Sequence, residues 1–249
     1  MIRIEGFKFR ILPLVTVLLT WIAITLLAGA TVELAEHFLH IPVRPEMPWI
    51  EIGYGHTAQL VYTLIAIGLF KIFLRRDYGL HRPEGKSYVG AAILWGLFFG
   101  LLMTAVDFWP QILAHKPPSD QPYPLTPLNI AGWLGFEGIY VGPTEETLFR
   151  GLLVTYLMAT MPGRIALGRY EMSMAGVIVA LIFALAHVFD FVTRPFAMAL
   201  GQQVYAFALG VLYAYWFEKS RSLLAPIVGH NVGDVVEYAA IFAMVAMWH

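Results

Sequence analysis

Apolar residues run along this chain in long blocks, without the alternation of a half-buried strand or the narrow stripe of a surface helix. A helix that crosses a bilayer needs about 20 mostly apolar residues. Seven regions reach that size: 11–30, 56–74, 88–109, 128–161, 172–189, 196–217 and 224–247. They predict an all-α, polytopic membrane bundle of about seven helices. The fourth region is overlong, because 34 residues at about 1.5 Å each exceed a hydrocarbon core of about 30 Å. Pro143, within Gly142-Pro143-Thr144, is the expected break, and it would make eight helices in place of seven. The first block follows Arg3, Lys8 and Arg10 but is too long for a secretory signal and lacks a small-residue cleavage site, so it reads as a retained helix. Residues 110–127, rich in proline, predict an extended external connection.

Composition fixes the solvent. Of 249 residues, 59% are hydrophobic and 13% charged, against about 25% charged in soluble domains. So little charge cannot cover a water-exposed surface, and lipid must do so. Net charge is −1 with no basic block, which removes nucleic acid as a partner. The absence of cysteine removes disulfides, thiolate metal sites and a cysteine nucleophile. Of the 16 Lys and Arg, 12 fall on the side of the N-terminus and three on the other, namely Arg44, Lys116 and Arg194, with Arg150 inside a span. That asymmetry predicts a cytoplasmic N-terminus, and the expected location is the cell membrane.

Ionisable groups inside spans are costly, so each calls for a partner or a task. Those present are Asp107, Glu137, Glu145, Glu146, Arg150, Asp234 and Glu237, joined by His187 and His230. Glu146 and Arg150, at i and i+4 with the acid first, read as a helical ion pair. Glu145 points about 100° away from that pair and lacks the partner; an unpaired carboxylate in an apolar site suits a general base. His187 follows Phe183 by four residues, so both rings share a face, and His230 and Asp234 stand one turn apart. Either histidine could equally be a satisfied interior residue, and the His230/Asp234 pair could serve only as interhelical glue. Gly96 and Gly100 form a GxxxG, and Ala206 to Gly210 a small-xxx-small pattern, both helix-packing devices.

Hydrolysis inside a bilayer narrows by elimination. No HExxH is present, no serine occupies a Gly-x-Ser context within a span, and a paired-aspartate site would have only Asp234 and, at the edge of its span, Asp107. Glutamate with histidine remains. Glu145-Glu146 through Arg150 fits EExxxR, Phe183 to His187 fits FxxxH, and His230 to Asp234 fits HxxxN/D. In that order these motifs resemble the CPBP family, which comprises type II CAAX prenyl endopeptidases, Abi-type proteins and lysostaphin-resistance-A-like proteins. The resemblance covers residues 128–247, the CPBP-like core of a single membrane domain 1–249, with residues 1–127 as variable N-terminal helices.

The resemblance implies a glutamate-type intramembrane endopeptidase acting near the C-terminus or membrane end of a protein or peptide. Glu145 and His187 would activate water, and His230 with residue 234 would hold the oxyanion. Glu146 and Arg150 would shape the site. Asp234 stands where the prenyl endopeptidases carry Asn; an ionised Asp cannot donate to an oxyanion, so it must be protonated or orient His230. No cofactor is expected, and a metal-dependent version would use Glu145, His187 and His230 on Zn. The alternative from another class is a non-catalytic immunity or scaffold protein, and a proton-relay transporter is a third. Counted at about 1.5 Å per residue, the three motifs fall at unequal depths in straight helices. The reading therefore expects a strong tilt, displaced helix ends, or a 219–224 loop drawn into the membrane.

Overall fold

The computed structural model describes residues 2–39, 44–118 and 123–248. Its long helices are α1 (Ile11–Leu39), α2 (Pro48–Leu74), α3 (Val89–Ala114) and α4, which spans residues 127–160. Then come α5 (Met174–Leu185), the short α6 (Asp190–Thr193), α7 (Phe196–Ser220) and α8 (Leu224–Trp248). Among the described residues, six helical stretches are long and apolar enough to cross a membrane, α5 and α6 counting together as 174–193; α4 is the seventh long helix. Their outward faces are apolar, as at Leu26, Phe73, Phe98 and Leu101. The chain is an all-α, polytopic integral membrane protein.

Pro143 does not break α4, contrary to the sequence reading. Gly142 at −57°/−48° and Thr147 at −65°/−40° both keep right-handed helical angles. Two π-helical stretches, Phe136–Val141 and Thr147–Val154, flank the proline. The wider turns absorb the crowding that a proline ring imposes on the preceding turn. Asn231 on α8 completes the accommodation: its Oδ1 accepts from the Gly142 N–H at 2.8 Å and its Nδ2 donates to the Gly138 carbonyl at 2.9 Å. The 110–127 connection is also shorter than expected, since Pro110 lies inside α3 and the helix ends only at His115, which is left-handed. Residues 119–122 of that connection lie outside the described set.

A three-stranded antiparallel sheet, not expected from the hydropathy, closes one face. Strand β1 (Ile2–Glu5) pairs with β2 (Arg164–Leu167), and β2 with β3 (Tyr170–Ser173). The same face gathers the 77–86 segment and the α7–α8 turn, where Leu223 N–H bonds the Gly79 carbonyl at 3.0 Å and Ser222 Oγ bonds the His81 carbonyl at 2.6 Å. The segments that carry the 12 clustered cations are thus neighbours in space, as the charge asymmetry required.

That turn also resolves the depth mismatch. Ser220 and Ser222 are fully buried beneath the 77–86 segment, so α8 starts below the surface of this face. Residue 172, in turn, belongs to β3 outside the helices. Close packing of α3 on α8 sets the height of α8. A Cβ at Gly96 would lie 2.7 Å from the Gly229 carbonyl oxygen, and one at Gly100 would lie 2.6 Å from that of Gly233. The GxxxG of α3 therefore meets a second pair of glycines at the same spacing, and backbone touches backbone.

Candidate active site

The two adjacent glutamates have opposite fates. Glu146 is fully buried and carries two partners: Arg150 Nη1 at 2.9 Å and His230 Nδ1 at 2.7 Å, both on Oε1. Arg150, 1% exposed, lies over the rings of Phe183 at 4.5 Å and Tyr213 at 5.4 Å. A buried guanidinium is tolerable only with such compensation. The expected ion pair is present, and it is more than a neutralised couple, because the same carboxylate oxygen holds the imidazole of α8.

Glu145 faces the other way, into a cavity of about 320 Å³ built by α2, α3, α4, α7, α8 and the end of α5. Its contact with His230 Nε2 is 3.7 Å, beyond hydrogen-bond range. His230 is the hub, since its Nε2 also lies 3.3 Å from Asp234 Oδ2, and Tyr213 stacks on its ring at 5.9 Å. His187 lines the same cavity. It sits just past the end of α5, with Nδ1 against the Phe183 carbonyl at 3.0 Å and its ring 5.3 Å from that of Phe183. Glu145, His187, His230 and Asp234, separated by up to 89 positions in sequence, thus border one space.

The remaining intramembrane charges line the same space, Glu137 within electrostatic range of Asp234, His230 and Glu145. Asp107 Oδ2 accepts from Arg194 Nη1 at 3.0 Å and from the Tyr205 hydroxyl at 3.1 Å, and Glu237 and Glu137 line the wall. The order His230, Asp234, Glu237 along α8 shows that the cavity extends away from the β1–β3 face.

Three participants escaped the sequence reading. His56 of α2 lines the cavity with a buried Nδ1 that has no hydrogen-bond partner among the described residues, and it lies within electrostatic range of Glu145 and His230. Its position at the first residue of a hydrophobic block was the available signal. Asn231 and Tyr213 carried none, since their roles depend on which helix they meet.

Among the described residues, one group of three His, Asp or Glu side chains brings its ligand atoms within 4.8 Å of one another: Asp77, His81 and Glu84, all exposed on the β1–β3 face. Glu145, His187 and His230 do not form so tight a group.

Residues 127–236 match the family model described as Rce1-like, type II CAAX prenyl endopeptidase. This is the segment that carries all three motifs and both halves of the Glu146–His230 contact. No curated protein and no solved structure matches the chain.

Proposed function

We propose that this chain, whose 127–236 segment matches a protease family model, is a membrane-embedded endopeptidase that uses Glu145 to activate water. One observation carries the reading: Glu145 faces the cavity without a hydrogen-bond partner among the described residues, while its neighbour Glu146 is locked in a buried network. A carboxylate left free among histidines can accept a proton from water.

In this scheme Glu145 takes one proton from a water positioned between it and His187. The hydroxide oxygen bonds to the scissile carbonyl carbon, the C–N bond breaks, and Glu145 returns the proton to the leaving amine. His230 stabilises the oxyanion. A ring with protons on both nitrogens donates Nδ1–H to Glu146 and presents Nε2–H to the cavity. Asp234, 3.3 Å from Nε2, accepts from that N–H in the resting site and yields it to the oxyanion as charge develops, so Asp234 orients His230 and does not itself donate. On this reading Asp234 takes an orienting role where the prenyl endopeptidases carry Asn.

If the β1–β3 face, which gathers most of the Lys and Arg, is the cytoplasmic one, the cavity, which extends away from that face, is reached from the other side. Substrate is then a protein or peptide segment presented from the non-cytoplasmic half. The test compares membrane proteomes of cells carrying wild type and Glu145→Gln. A precursor that accumulates in the variant supports the reading, and wild-type rates of processing by Glu145→Gln overturn it.

A further inference from the structure

On the β1–β3 face, remote from Glu145, a second cavity of about 420 Å³ lies among the ends of α2, α4 and α7. Four cations line it, Arg76, Arg164, Lys219 and Arg221, together with the carboxylates of Asp77 and Glu218. Both carboxylates are already committed. Asp77 accepts from the Gly79 N–H at 2.9 Å and from His81 Nε2 at 2.6 Å. Glu218 Oε1 accepts from the Ser173 N–H at 2.7 Å and from the Ser173 hydroxyl.

Two of the cations are partly neutralised as well. Arg164 bonds Glu171 and lies 3.6 Å from Glu218, and Arg221 lies 3.4 Å from Glu84. Arg76 has no hydrogen bond or ion pair among the described residues, and Lys219 overlies the Tyr215 ring at 5.5 Å and lies within electrostatic range of Glu171, the carboxylate that Arg164 already bonds. Of the four cations that line the cavity, Arg76 and Lys219 are thus the two that make no ion pair within 4 Å among the described residues.

Depth and surroundings define the missing anion. Arg76 is the second residue after α2, and Lys219 is the last but one of α7, so the cations sit where helices leave the apolar zone. Met158 lines the cavity and is 40% exposed, and Phe73, three residues before Arg76, is 83% exposed. Guanidinium forks and an ammonium around one space suit phosphate oxygens, and basic pockets between helix ends at the membrane surface take anionic headgroups. Apolar side chains at the same level suit an attached acyl chain.

We propose that this cavity binds the phosphate headgroup of an anionic phospholipid through Arg76 and Lys219. The site does not depend on peptidase activity.

The experiment uses the full chain purified in detergent and counts retained lipid by native mass spectrometry. Phosphatidylglycerol, phosphatidylcholine and inorganic phosphate are offered in separate arms. Wild type should retain phosphatidylglycerol in preference to phosphatidylcholine. Arg76→Gln/Lys219→Gln should lower that retention about 30-fold, since each cation at the headgroup plane contributes about 1 kcal/mol. Arg75→Gln/Arg169→Gln, on the same face but outside the cavity, should change it by no more than about twofold, the share of a screened surface field. An equal loss in this control pair overturns the proposal, as does a wild type that does not distinguish the two lipids. Inorganic phosphate that displaces the lipid and remains bound assigns the site to a soluble anion and overturns the lipid. Should the double variant fold poorly by thermal melt, Lys219→Gln alone, with about fivefold loss expected, decides the same question.

Discussion

His230 Nδ1 lies 2.7 Å from Glu146 Oε1, joining α8 to α4 across 84 positions of sequence. Because Arg150 shares the same oxygen, one carboxylate holds both the guanidinium below the cavity and the imidazole that faces it. The two adjacent glutamates should therefore respond in opposite ways to the same substitution. Glu146→Gln leaves Arg150 without its counter-charge in a buried site and should cost about 3–5 kcal/mol. Glu145→Gln removes no hydrogen bond and should cost less than about 1 kcal/mol, while cleavage falls about 10²-fold or more. Thermal unfolding in detergent beside a cleavage assay checks the pair; equal melting temperatures for the two variants would contradict the assignment.

His56 should separate stability from activity. Its buried Nδ1 has no partner among the described residues, so His56→Leu removes a costly polar group and should leave the melting temperature unchanged or higher. Cleavage should fall about tenfold, equivalent to an electrostatic contribution of about 1.4 kcal/mol near Glu145. A variant that lost stability and kept its activity would make His56 a packing residue.

Gly100 sets the height of α8. A side chain there meets the Gly233 carbonyl oxygen at 2.6 Å, a backbone atom that cannot rotate away. Gly100→Val should cost about 1–3 kcal/mol through overpacking and reduce cleavage, because displacing α8 moves His230 and Asp234 together. Gly90, on the same helix with open space around its Cβ position, is the control: Gly90→Ala should melt no lower than wild type.

The exposed Asp77–His81 pair on the β1–β3 face gives a pH dependence with a definite sign. Burial works to raise Asp77, but the hydrogen bonds from His81 and the Gly79 N–H outweigh it and hold the carboxyl below its ordinary value. The Asp77 hydrogen bond raises His81 above its ordinary value. Stability from His81 is complete below its unfolded pKa and is lost as pH rises through the raised folded value. Stability from Asp77 is present above its unfolded pKa and is lost as pH falls through the lowered folded one. His81→Asn should therefore narrow the gap to wild type on the alkaline side of neutrality and widen it in mild acid. Melting curves across that range test the sign, and a constant difference would refute it.

Metal removal gives a further outcome. Hydrolysis by Glu145-activated water should survive exhaustive chelation, whereas a Zn site on Glu145, His187 and His230 would lose activity and regain it on metal addition. Metal analysis of the purified protein accompanies the assay.

Composition and hydropathy by themselves determined that lipid is the solvent, roughly where the helices run, and which few charges must be accounted for. These are properties of single residues and their near neighbours, and an apolar block of about 20 residues has one stable fate in a bilayer. Motif spacing likewise singled out Glu146 with Arg150, His187 with Phe183 and His230 with Asp234 as candidates, because pairs at i and i+4 must share a helix face, and it left Glu145 as the carboxylate outside such a pair. Whether Pro143 would break α4 was not legible, since the π-helical turns around it and the Asn231 side chain that accepts from Gly142 depend on a helix 89 positions away. The meeting of His230 with Glu146 was equally hidden, as was the entry of His56 into the cavity. Both follow from how deeply the α7–α8 turn is buried under the 77–86 segment and how closely Gly96 and Gly100 admit α8. Contacts of that kind are set by close packing between distant segments, which leaves no period in the chain to read.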